Sequence, residues 1–200
     1  MQWIKDNGYH LDVRSCGTYA AEKGHIGALQ WARNNGFSWS TNTCTIVARE
    51  GHLEALKWLR SQGCPWDEMT CNAAAYCGHL DVLKWALSEK CANHGAISYA
   101  AKGGQLNVIK WLRSMGIPWE EDTCSWAAHT SHLDVLKWIV ENGCSWSHDA
   151  LVRAAKYGSV EMIEWILKNI PNVNKEVILE EAKANNREYL VEWILNQNSF

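Results

Sequence analysis

Apolar residues recur along this chain at helical spacing, inside a longer period of about 27 residues. GHLDVLKW, Gly78 to Trp85, returns as SHLDVLKW at Ser131 to Trp138 and as GHLEALKW at Gly51 to Trp58. With its Trp as a ruler, equivalent residues fall at Trp3, Trp31, Trp58, Trp85, Trp111, Trp138, Trp165 and Trp193, in steps of 26 to 28 residues. A fixed period of that size marks supersecondary units that bury their apolar faces against one another. In the first half of a unit, Cys124, Ala127, Ala128 and Ser131 share one face at i, i+3, i+4, i+7 spacing; in the second half Leu133, Val135, Leu136, Trp138 and Ile139 supply bulk. Small residues set against large ones predict a closely packed helix pair.

Polar positions place the helix ends. Asp12, Ser40, Asp67, Asn93, Glu120, Ser147 and Asn174 stand where first helices should begin, and all but Glu120 are favoured caps. Seven residues before the Trp, Gly24, Gly51, Gly78, Gly104, Ser131, Gly158 and Asn186 mark the break between helices. Turns such as SQGCPW and ENGCSW follow the second helix, with Gly63 and Gly143 at its stop. The joints near Cys91 and Ile170 depart from this pattern. The sequence therefore predicts an all-α fold over residues 1–200, one repeat domain of seven helical pairs preceded by a partial repeat at 1–11, and suggests a fragment of a longer array.

Composition narrows the function. A net charge of -3 with scattered Lys and Arg offers no basic stripe for nucleic acid and no polybasic run for a membrane. No run approaches the roughly 18 apolar residues of a span. Cys16, Cys44, Cys71 and Cys124 read as one repeat position and Cys64, Cys91 and Cys144 as another, all small packing residues in a reducing, cytoplasmic protein. The Trp columns, including Trp39, Trp66, Trp119 and Trp146 in the turns, read as inter-repeat core.

The pattern AAxxGHLDVLKWxxxxGCPW resembles the ankyrin repeat, which also pairs Ala-Ala with Gly-His, an aliphatic second helix and a following Gly. The likeness covers nearly the whole chain, in units about six residues shorter than usual, with Thr-Cys at Thr43-Cys44, Thr70-Cys71 and Thr123-Cys124 and with added Trps. Short Trp-rich repeats of this kind are similar to the expanded arrays of large DNA viruses and some protists. The resemblance implies an ankyrin-like solenoid of stacked helix-turn-helix pairs with reduced or absent β-hairpins. It also implies protein binding along a concave face lined by first helices.

The two outward faces differ. Second helices present Glu54 and Lys57, Asp81 and Lys84, or Asp134 and Lys137, a solvated face. First helices present Tyr19, Ile46, Arg49, Met69, Tyr76, Tyr99, Lys102, Trp126, His129, Arg153 and Lys156, opposite the Ala face, where burial within the unit does not explain them. Exposed aromatic and Arg residues are the usual anchors of an interface. These eleven are the candidate partner-binding residues, with a protein or peptide as the partner and no small-molecule substrate. Packing of Tyr99 and Trp126 against neighbouring first helices is the competing reading.

Catalysis has little support in the sequence. No P-loop or GxGxxG occurs, and His25, His52, His79 and His132 lie a repeat apart, which suits structural roles better than a shared metal. Cys91 and His94 lack a second ligand pair, and Cys77 has no activating neighbour. No cofactor is expected. The function expected is a non-enzymatic interaction scaffold. The alternative is the substrate-recognition part of a larger adaptor, such as a ubiquitin-ligase receptor, with its effector domain outside this chain.

Overall fold

The computed structural model describes residues 12–197 and is all-helical over them. The partial repeat expected at 1–11 lies outside the described residues. Fourteen helices follow as seven pairs: α1 (Val13–Glu22) with α2 (Ile26–Asn34), α3 (Thr41–Arg49) with α4 (Leu53–Ser61), α5 (Glu68–Cys77) with α6 (Leu80–Ser88), α7 (Ala96–Lys102) with α8 (Leu106–Ser114), α9 (Thr123–His129) with α10 (Leu133–Glu141), α11 (His148–Tyr157) with α12 (Val160–Asn169), and α13 (Lys175–Ala184) with α14 (Glu188–Gln197). They fall into two compact units, Met1–Ala96 and Ile97–Phe200.

Local chemistry fixes five of the seven first-helix starts. Asp12, Asp67 and Asn174 accept from the backbone two residues on, and Ser147 from the Ala150 N–H. At Ser40 the bond is reciprocal: its backbone N–H donates to Thr43 Oγ1, 3.2 Å away, which gives the recurring Thr-Cys its Thr. Two expected caps shift. The N-cap position of α9 falls on Asp122, whose side chain makes no cap bond, while Glu120 donates its N–H to Thr123 Oγ1; α7 begins at Ala96, three residues beyond Asn93. These are the two seven-residue helices.

The break between helices is a left-handed turn. At Gly51, φ is 78°, and His52 and Gly51 donate to the carbonyls of Val47 and Ala48, closing the end of α3. The same bonds recur at Gly24, Gly78, Gly104, Ser131 and Asn186, mostly onto the paired alanines. Gly158 is different: its backbone is extended, at φ -67° and ψ 154°.

Histidine then ties one repeat to the next. A methyl group built on Gly51 would stand 2.6 Å from the His79 ring, and one on Gly24 2.5 Å from the His52 ring. Their Nε2 atoms donate to the carbonyls of Arg49 and Glu22 at 2.9 Å. Where Ser131 replaces the Gly and Ser159 the His, the Ser159 N–H donates to Ser131 Oγ instead. Arg187, at the last histidine position, donates to the carbonyls of Ala155 and Gly158.

Within the first unit α1 packs on α3 and α3 on α5; within the second, α9 packs on α11 and α11 on α13. Alanines and the aliphatic residues of second helices fill the space between, with Leu56, Leu59, Leu83, Leu136, Ile139 and Ile163 fully buried. The Trps are not this core. All are half-buried among the described residues, because Leu and Ala already occupy the interior and the indoles spread over its edge. Trp39 meets Trp58 at 5.6 Å, Trp66 meets Trp85 at 5.6 Å and Trp119 meets Trp138 at 6.1 Å. Arg33, Arg60 and Arg113 lie over the turn indoles at 4.5, 4.3 and 4.5 Å.

The register of one cysteine also differs from expectation. Gly17, buried against the Phe37 ring, holds the place that Cys44, Cys71 and Cys124 hold elsewhere, and Cys16 is half-buried beside it. The first unit step is a residue longer than its neighbours.

Candidate interaction surface

In α9, Cys124, Ala127 and Ala128 are fully buried, which turns Trp126 and His129, one helical turn apart, toward the opposite side. Trp126 is half-buried and held from several directions. Its Nε1 donates to Asp122 Oδ2 at 2.8 Å, and Asp122 Oδ1 accepts from Ser98 Oγ at 2.6 Å. Lys102, the last residue of α7, stands 4.0 Å from the indole centroid, and the Arg153 guanidinium of α11 stands 4.7 Å from it. A ring quadrupole attracts both cations, so the indole fixes two flexible side chains at the surface.

Arg153 is fixed at its other side, donating Nε to Asp149 Oδ2 at 2.7 Å. Burial works to raise the Asp149 pKa, but hydrogen bonds from Ser125 and Arg153 outweigh it and hold the carboxyl below its ordinary value. His129 lies edge-on to Trp126 at 5.5 Å and to Tyr157 at 4.3 Å. Burial, then the charges of Arg153 and Lys102, pulls the His129 imidazole below its usual 6.5. Its buried Nδ1 has no hydrogen-bond partner among the described residues.

Of the eleven candidate residues, the second unit brings Tyr99, Lys102, Trp126, His129 and Arg153 into one cluster; Tyr99 is half-buried, with Lys102 Nζ 5.9 Å from its ring. Lys156 is half-buried on the same helix as Arg153. Tyr157, 52% exposed, completes the cluster and falls outside the stripe drawn from sequence. The signal available for it was an aromatic residue directly before the Gly158 break.

In the first unit Tyr19, Met69 and Tyr76 are exposed at 59%, 40% and 41%. Arg49 is exposed and paired with Glu50 at 3.1 Å. Ile46 corrects the expectation: at 8% exposure it is buried, lining a cleft of about 330 Å³ with Val13, Thr18 and Phe37.

The other face carries simple ion pairs such as Lys57 to Glu54 at 2.8 Å. Among the described residues no three His, Cys, Asp or Glu side chains are grouped to hold a metal, and no helix is long and apolar enough to cross a membrane. Burial, with Glu50 nearby, raises the Cys77 thiol and makes it a poor nucleophile. The sequence matches no family model and no curated protein.

Proposed function

We propose that the chain is an ankyrin-like array of helix pairs acting as a non-enzymatic scaffold that holds a protein or peptide on the exposed side of its first helices. The observation that carries this reading is Trp126, half-buried with Lys102 and Arg153 fixed on its ring, and the exposed Tyr157 against the neighbouring His129. A preformed aromatic and Arg cluster gives a partner contact area at little cost in side-chain entropy. Within the first unit, Tyr19, Met69 and Tyr76 are separately exposed. Eight free cysteines suit a reducing, cytoplasmic setting.

The test uses the Tyr99→Ala/Trp126→Ala double variant beside the natural chain as bait in cell extract. The variant should lose the captured partner while melting within about 4 °C of the natural protein, a shift that matches about 1 kcal/mol. A variant that unfolds, or one that retains the partner in full, overturns the reading.

A further inference from the structure

Six of the eight cysteines meet in pairs. Cys44 Sγ lies 3.4 Å from Cys64 Sγ and Cys124 Sγ lies 2.9 Å from Cys144 Sγ, while the Cys71 thiol donates to Cys91 in the same arrangement. Each pair joins the first helix of a repeat to the turn that closes the repeat. In other repeats the two positions hold Ile97 and Ile117, Leu151 and Pro171, or Gly17 and Phe37. Among these six repeats the two positions are either both cysteine or neither is. Two cysteines fill much less space than two isoleucines, so packing at constant volume does not explain why they change together.

We propose that Cys71–Cys91 and Cys124–Cys144 are reversible oxidation sites, each closing to a disulfide when hydrogen peroxide reaches the turn thiol. Access separates these pairs from the third: Cys91 and Cys144 are each 6% exposed, whereas Cys44 and Cys64 are fully enclosed. The separation at Cys124–Cys144 needs to shorten by only ~0.9 Å to reach a bonded length of about 2.05 Å. Within a pair the roles are unequal. The hydrogen bond from Cys124 lowers the Cys144 thiol against the effect of burial, with help from Arg113, and Cys71 does the same for Cys91. The helix cysteines Cys71 and Cys124 are pushed up by donating that bond.

The turn cysteine is therefore the attacking thiolate. Its sulfur takes the terminal oxygen of the peroxide, the O–O bond breaks, and hydroxide leaves and is protonated to water. The resulting sulfenic acid is attacked by the helix cysteine; the S–S bond forms, the S–O bond breaks and a second water leaves. Two thiols lose two electrons and two protons, and one peroxide is reduced to two waters. The crosslink fixes the buried face of a first helix, near its start, to the turn of its own repeat.

Reduced, folded protein treated with hydrogen peroxide, then blocked with a maleimide and digested, should yield two crosslinked peptide pairs, Cys71 with Cys91 and Cys124 with Cys144. Both should vanish after dithiothreitol, and Cys44–Cys64 should form much more slowly. Cys144→Ser should remove one crosslink and leave the other at its natural rate. Sulfinic acids without crosslinks, Cys44–Cys64 closing first, or loss of both crosslinks in Cys144→Ser would overturn the proposal.

Discussion

At Gly51 two constraints coincide: the backbone is left-handed and the next repeat's His79 ring lies where a side chain would begin. Gly51→Ala should cost about 2 kcal/mol or more, since the αL penalty of about 1–2 adds to displacement of that ring. His79→Ala, which removes one bond to the Arg49 carbonyl, should cost about 1 kcal/mol. Urea unfolding midpoints order the two variants, and an equal loss in both would mean that the ring is free to move aside. His129 makes stability depend on pH. Its folded pKa is depressed, so the unfolded chain binds the proton more readily; the contribution is full above about 6.5 and is lost as pH falls toward the lower folded value. His129→Phe keeps a ring against Tyr157 and should flatten the fall in the midpoint between about pH 7.5 and about pH 5. An unchanged profile would place that dependence on other groups.

Helices here are short and depend on their ends. Lys90 closes α6 in the left-handed region at φ 61°, where Gly63, Gly116 and Gly143 close equivalent helices. It is exposed, so Lys90→Gly should stabilise the protein by about 1 kcal/mol, seen as a higher melting temperature. No gain would mean that the lost freedom of the unfolded chain offsets the relief. On α10, Leu136 is fully buried and Trp138 half-buried, so Leu136→Ala should cost about 3 kcal/mol and Trp138→Ala less, despite the larger group. The reverse order would return the Trp column to the core. Periodicity in sequence located both elements, but it could not divide the apolar face into interior and edge. That division depends on how much space the neighbouring helices leave.

For the molecule as a whole, the reduced protein should give eight reactive thiols once denatured, all eight cysteines being free in the structure. A deficit in protein prepared under reductant would contradict that state. The first-helix stripe could be drawn from the sequence because Trp126 and Tyr76 fall opposite the face of paired alanines. What escaped was cooperation between repeats: Lys102, Trp126 and Arg153 come from three different helices and meet only when the second unit packs. The burial of Ile46 also escaped, since the cleft it lines is shared with Val13, Thr18 and Phe37, which lie outside its own helix.

The number of helix pairs, most of their caps and the left-handed breaks were set by the sequence alone, because each depends on residues within a few positions of one another. Tertiary structure decided which partner each repeated residue meets. It laid histidine on a preceding glycine, paired the thiols, kept the Trps at the edge and clasped Trp126 between two cations. All four are contacts between residues distant in the chain, and a one-dimensional period gives their spacing without their approach.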